Sequence, residues 1–373
     1  MTSGHRRSLD KYTDLTPERV RRIREWFAGK PQSPIFAEIY PTMSCNLNCL
    51  FCRRQTYFPP VPRGPELPQA RLLRLLDEIT EMDVLEVCIK GGGEPLMRRG
   101  ILEHAAKRFG KALVRGQLVT NGTLMDEKLA GLLTDSGWME VCFSLDSPFE
   151  QTHDYLRDRK GAFALAARGI KALAAAKRAA GRKFPVIKIN MVITATNCRQ
   201  VPEMLRFCAE NGVGTLDLDA MDPEVPGCEH LRLSREQAQE FSAHAPEWAE
   251  LAANSGIHTN LAMYSQTAYV QRGKAPEAAP KSAAKTLPPC LLPWQQISIR
   301  ADGSVVPCCV ASDDYKTPAL HSKTLAEAWF GEPMESIRRA MLSGGRPWFC
   351  HACTRAFSDA NSRLLDECGL SHK

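Results

Sequence analysis

Three cysteines stand close together in "SCNLNCLFC": Cys45, Cys49 and Cys52. Thiolates are soft ligands that select zinc or iron-sulfur clusters, and four of them close either kind of site. A Cys-x3-Cys-x2-Cys loop supplies only three. Either it borrows a fourth side chain, as a structural zinc knuckle would, or it holds three corners of a four-iron cluster and leaves one iron without a protein ligand. An open iron invites a substrate or cofactor. A second set follows far along the chain, Cys290 with Cys308 and Cys309, then Cys350 and Cys353 in "CHAC". Cys88, Cys142, Cys198 and Cys208 lie inside apolar-periodic segments, where a free cysteine packs as a small hydrophobe.

The segments around these thiols have a repeated rhythm. Residues 35–41, 84–90, 116–122, 139–146, 186–194 and 214–220 read as short strands rich in branched residues, and helix-period segments follow the first five. Six strands alternating with helices argue for a parallel sheet, and an open or partial (β/α)6 barrel fits best. In such folds chemistry collects in the loops after the strands. The cysteine triplet occupies the first of those loops.

After Ala220 the rhythm breaks. A polar loop leads to a helix opened by Ser234 and Glu236, and then comes "QRGKAPEAAPKSAAKTLPP", a linker or flap in composition. "QQISIRADGSVVPCC" reads as a hairpin turning at Asp302 and Gly303, and "SKTLAEAWFGEPMESIRRAMLSGG" as a helix interrupted near Gly331 and Pro333. The expected organisation is an N-terminal basic helix (1–34, Thr16 as N-cap, packed on the barrel by Val20, Ile23 and Trp26), the barrel core (35–232), a helix and linker (233–288) and a small α+β cysteine-rich unit (289–373).

Composition sets the outer limits. The chain has 373 residues, 14 of them cysteine, and a formal net charge of +6 from 48 basic and 42 acidic residues. Thiols spread over a chain this long, with an apolar core available, point to metal or redox chemistry in a reducing compartment rather than a disulfide scaffold. Scattered, nearly balanced charge implies no nucleic-acid groove. No membrane helix or secretion signal is visible, so no membrane partner is expected and the cytoplasm is the default.

"CNLNCLFC" resembles the signature of the radical S-adenosylmethionine (SAM) superfamily, with Phe51 just before the third cysteine. The resemblance continues in order: "GGGEP" (Gly91, Gly92, Gly93, Glu94, Pro95) after the second strand, "TNG" with Asn121 after the third, "SLDSPFEQTHDYLRDRKGAF" after the fourth. It implies that SAM chelates the open iron of a 4Fe-4S cluster and is split by one electron to a 5'-deoxyadenosyl radical, which abstracts hydrogen from a C–H bond. It further implies that the glycines let backbone approach the methionine amino group, that Ser144 and Asp146 meet the ribose or methionyl part, and that Arg157 pairs with the SAM carboxylate. Cys290, Gly303 and Cys308 with Cys350 and Cys353 resemble the opening of a SPASM domain, which binds an auxiliary 4Fe-4S cluster. Asp359 stands where the next cysteine of the full pattern would be, which implies the shortened Twitch form with one auxiliary cluster. That leaves Cys309 and Cys368 spare.

These implications lead to an enzyme that dehydrogenates or epimerises a small polar metabolite, such as an aminocyclitol or sugar, with a maturase of ribosomal peptides as the alternative. A zinc-bearing, non-enzymatic module is the remote third. Asp219, Asp222, Glu224, Glu229 and His230, after the sixth strand, are candidates to hold substrate or remove a proton. Cys228 and its rival Cys142 are candidates to return a hydrogen atom in an epimerase. Flavodoxin or ferredoxin is the expected electron donor.

Overall fold

The structure is a computed structural model that describes residues 14–52, 65–222, 225–265, 290–308, 320–343 and 359–370. The six expected strands are present: β1 (Phe36–Ile39), β2 (Glu86–Ile89), β3 (Arg115–Thr120), β4 (Glu140–Ser144), β5 (Val186–Ile193) and β6 (Thr215–Ala220). Helices α2 (Gln69–Glu81), α3 (Arg99–Ala112), α4 (Glu127–Asp135), α5 (Glu150–Arg157) with α6 (Ala162–Ala179), and α7 (Val201–Glu210) link them in turn. Their neighbours pair in parallel, so all six carboxyl ends lie at one end of the sheet.

The sheet is wider than the sequence suggests. A short β7 (His258–Thr259) adds beside β6, and β8 (Gln296–Ile299) pairs in parallel with β1 while β9 (Val305–Val306) folds back on it antiparallel. The order is β7-β6-β5-β4-β3-β2-β1-β8-β9. The hairpin was expected, with Gly303 in a left-handed turn at φ 80°, but it continues the core's own sheet. The expected linker, residues 271–289, lies outside the described residues.

Alternation along each strand sorts side chains onto two faces. Ala37, Ile39, Val87, Ile89, Leu118, Val141, Phe143, Ile187, Ile189, Leu216, Leu218 and Ile297 are buried in one large core under the helices. The alternate residues line the concave face: Glu38, Cys88, Lys90, Gln117, Glu140, Cys142, Ser144, Lys188, Asn190, Asp217, Asp219 and Ser298. That face is the lumen of the partial barrel.

α8 (Arg235–Asn254) starts at Ser234 as expected, though Gln237, not Glu236, completes the capping box. Thr16 opens α1 (Thr16–Phe27) but does not cap it. Its backbone N–H and hydroxyl both donate to Asp14 Oδ1, at 2.9 and 2.8 Å. The long C-terminal helix is two, α9 (Leu325–Trp329) and α10 (Glu332–Leu342), and α11 (Asp359–Cys368) follows. A Cβ at Gly331 would overlap the Glu327 carbonyl oxygen, which locates the interruption.

α1 binds the C-terminal unit rather than the barrel's helices alone. Ile23 is fully enclosed with Leu291, Trp294, Ile337, Met341, Leu364 and Leu365. The Arg338 guanidinium lies between the rings of Trp26 and Trp329, 4.3 Å from each. Arg22, also buried, bonds to Glu18, to the Ser33 and Pro34 carbonyls and to Asp83, tying the same helix to the entries of β1 and β2.

Candidate active site

The cysteine loop leaves β1 and is tied to the loops after β2 and β3 and to α5. Gly93 N–H donates to the Thr42 carbonyl (3.0 Å) and Glu94 N–H to the Ser44 carbonyl (2.8 Å). Asn121 donates to the Asn46 side chain at 2.9 Å, and Asn46 donates to Thr123 at 2.8 Å. Leu50 N–H donates to the Leu156 carbonyl and Arg159 to the Asn46 carbonyl, at 3.0 and 2.9 Å.

The glycines and Glu94 serve this assembly. A Cβ at Gly93 would overlap the backbone of Ser44, and one at Gly92 the Met43 side chain. The close approach they permit is therefore to the cysteine loop itself, where the sequence reading had placed the SAM amino group. Gly91 is equally confined, against the Gly93 carbonyl. Glu94, 2% exposed, accepts from Leu96 N–H, Thr120 hydroxyl and Asn121 N–H at 3.0, 2.6 and 2.8 Å. Burial pushes its carboxyl up, and those three donors work against the rise.

Cys45, Cys49 and Cys52 gather around Leu47 and Ala162. Among the described residues no three Cys, His, Asp or Glu side chains converge as ligands of a single metal ion. Three thiols grouped on one loop could hold three corners of a cluster. The donor set fits: soft sulfur, one loop, and a charged donor, Arg157 Nη1, 3.6 Å from Cys49 Sγ.

The fourth loop departs from expectation. Asp146 is fully enclosed and meets no open space. Its Oδ2 pairs with Arg157 Nε at 2.7 Å and its Oδ1 accepts from Val192 N–H at 3.1 Å. Arg157 is itself buried and aimed at sulfur. Ser144, half-buried at the end of β4, keeps the position expected of it.

The lumen wall is a ladder of polar pairs. Lys90 meets Glu38 at 2.6 Å, and Ser298 donates to the other Glu38 oxygen at 2.7 Å. Burial pulls the Lys90 ammonium down, but Tyr40 and Glu38 outweigh it and hold it above its ordinary range. Lys188 meets Asp217 at 2.5 Å, and Asn190 donates to Asp219 at 2.9 Å. Burial pushes the carboxyls of Glu86 and Glu140 up and the Cys88 and Cys142 thiols up to about 12. Sequence reasoning missed Glu38, Lys90, Glu140, Lys188 and Asn190. The signal was there in "VIKINMVIT" and "TLDLDA", whose alternating polar residues are unusual for parallel strands covered on both faces.

The expected catalytic groups are scattered. Asp219 stands exposed at the end of β6 and Cys142 faces the lumen. Cys228 does not: it is 0% exposed, its thiol donates to the Val225 carbonyl at 2.9 Å, and Leu156, Met221 and Leu231 enclose it. A hydrogen donor sealed in this way cannot reach a substrate, which corrects the sequence reading. Glu229 and His230 are exposed, His230 against the Tyr155 hydroxyl at 3.1 Å. Asp222 is half-buried, and Glu224 lies outside the described residues.

Cys290 and Cys308, the described members of the second cysteine set, lie at the other end of the strands. Cys290 precedes β8, which runs parallel to β1, and the buried Cys308 follows the antiparallel β9. Both therefore sit toward the amino ends, a strand length of roughly 15 Å from the triplet's end. Cys350, Cys353 and Cys309 lie outside the described residues. Cys368, ending α11, packs with Cys290 on the α1 cluster.

Residues 39–208 match the family described as the radical SAM superfamily. The chain is a radical SAM protein. Residues 290–354 match SPASM, an iron-sulfur cluster-binding domain, so its cofactors are SAM, a 4Fe-4S cluster and an auxiliary iron-sulfur cluster. The chain is 27% identical over 341 residues to the PqqA peptide cyclase of Gluconobacter oxydans, a match covering 88% of this chain and 84% of that protein. It is 33% identical over 172 residues to the AdoMet-dependent heme synthase of Methanosarcina barkeri, covering 46% of each. The crystal structure of Streptococcus suis SuiB bound to precursor peptide SuiA superposes with a TM-score of 0.61 at 18% identity, covering 91% of this chain and 75% of that one, a likeness of fold. No helix among the described residues of this radical SAM protein is long and apolar enough to cross a membrane.

Proposed function

We propose that this radical SAM enzyme modifies a ribosomally made precursor peptide. The observation that carries the reading is the relative matched along 88% of the chain, through both cysteine-bearing portions, which is a peptide cyclase. The heme synthase match spans less than half of the chain. The small-metabolite reading that the sequence put first gives way to its own alternative.

When bound, SAM with the cluster at Cys45, Cys49 and Cys52 supplies a 5'-deoxyadenosyl radical, and the auxiliary cluster at Cys290 and Cys308 with Cys350 and Cys353 supplies a one-electron relay. The chain's own residues do the rest. The loops at Gly93, Glu94 and Asn121 hold the cysteine loop rigid. The lumen between the two cysteine sets positions the reacting side chain, with Asp219 and Asn190 at its mouth and Lys90 and Glu38 opposite. Cys142, a neutral thiol on the lumen wall, would be the hydrogen donor if the product is an epimer; a crosslink or oxidation needs none. A flavodoxin or ferredoxin is the proposed reductant.

The test is anaerobic incubation of iron-loaded enzyme with SAM, dithionite and a short peptide encoded beside this gene. The expected result is 5'-deoxyadenosine with a peptide that has lost a hydrogen pair, or has gained solvent deuterium at unchanged constitution. An unaltered peptide, alongside turnover of an amino sugar or aminocyclitol, would reverse the order of the two readings.

A further inference from the structure

Arg157 is a buried cation with few places to go. Its Nη1 donates to Cys49 Sγ at 3.6 Å, its Nε meets Asp146 Oδ2 at 2.7 Å, and its guanidinium lies 5.6 Å from the Phe51 ring. Two of those neighbours, Cys49 and Phe51, belong to the cysteine loop. The third, Asp146, is immobilised at every polar atom: Val192 N–H donates to Oδ1 (3.1 Å), Asn197 donates to the carbonyl (2.7 Å), and the Asp146 N–H donates to His153 Nδ1 (3.2 Å). A fixed carboxylate thus fixes the guanidinium, and the guanidinium faces sulfur.

We propose that Arg157 tunes the SAM-site cluster: held by Asp146 as a positioning residue, it donates a charged hydrogen bond to the Cys49 thiolate and raises the cluster's reduction potential. The proposal rests on the radical SAM reading. Hydrogen bonds to cluster sulfurs and local net charge are among the factors that set such potentials. A reduced cluster carries one more negative charge, so a cation beside its thiolate favours the reduced form. Asp146 offsets part of that charge, but Arg157 lies between it and the sulfur. Removing Arg157 also leaves Asp146 as an uncompensated buried carboxylate, which adds to the loss.

The measurement is a redox titration of the anaerobically iron-loaded full chain followed by electron paramagnetic resonance, without SAM, the SAM-site signal having been identified by its response to SAM. Arg157→Gln is expected to lower the midpoint by about 59 mV or more, a tenfold loss in the one-electron reduction equilibrium. Arg157→Lys keeps the charge but not the planar fork and should fall between Gln and the native protein. Midpoints unchanged in both variants, with SAM binding weakened instead, would overturn the proposal and return Arg157 to the SAM carboxylate. Failure of both variants to load that cluster, while the C-terminal one loads, would also overturn it, because a donor that only tunes is not needed for assembly. If the native protein shows no SAM-responsive signal, the radical SAM reading fails instead of the role of Arg157.

Discussion

At the carboxyl end of the strands, three thiols share one short loop, and polar contacts from three neighbouring segments fix that loop. At the amino end, Cys290 and Cys308 are separated by a whole hairpin, and the surroundings are apolar: Ile23, Leu291, Trp294, Ile337 and Leu365. The first arrangement packs neighbouring backbone tightly against the loop that carries the thiols. The second rests on how α1, α10 and α11 pack, since Cys290 lies against the apolar cluster those helices form. The described thiols are thus supported by hydrogen bonding at one end and by hydrophobic burial at the other.

Cysteine replacements break this contrast most sharply. Cys45→Ala, Cys49→Ala or Cys52→Ala should abolish SAM cleavage. Cys290→Ala or Cys308→Ala should leave cleavage of SAM measurable while product formation is lost, and chromatography of 5'-deoxyadenosine against mass spectrometry of the peptide separates the two. Gly93→Ala forces a methyl into the Ser44 backbone. It should cost about 3 kcal/mol in denaturant unfolding and strip iron from the SAM site while sparing the auxiliary site. Ile23→Ala should do the reverse, at about 2–3 kcal/mol, because its cavity opens under the C-terminal unit. Iron counts for the two sites, taken by spectroscopy, check both.

The smallest expected effect is on pH dependence at the SAM end. Burial, with Arg157 nearby, holds the His153 imidazole down at about 2, from an ordinary 6.5. A depressed pKa in the folded state means its stability is fully present above 6.5 and is lost as pH falls below that value, by about 1.4 kcal/mol per pH unit. Protonation would also remove the acceptor for Asp146 N–H. His153→Gln should flatten that slope in unfolding curves taken between pH 7 and pH 5, since glutamine does not titrate. An equal slope in the variant would put the acid sensitivity elsewhere.

Much of this was legible in the sequence, because period-2 strands and spaced thiols leave local marks. All six strands, the hairpin turn at Gly303 and the cap at Ser234 carry such marks in their own residues. What escaped depends on partners far away in sequence. Nothing in "QQISIR" says that it pairs with "FAEI" to widen the sheet, and nothing local to Asp146 or Cys228 says that each is sealed from solvent. The glycines were legible as a close approach, but which backbone approaches is a fact of the folded loops. The lumen ladder has its own local mark, the alternation of Lys188, Asn190, Asp217 and Asp219 with apolar neighbours, but which polar residue pairs with which depends on the strand register.

The division of labour between the two ends is tested most directly by electron paramagnetic resonance of two reduced variants, each titrated with SAM. In the Cys290→Ala/Cys308→Ala protein the remaining cluster signal should change on adding SAM. In the Cys45→Ala/Cys49→Ala/Cys52→Ala protein the remaining signal should stay the same. A SAM-dependent change in the second protein, or none in the first, would contradict the assignment of the open iron to the loop after β1.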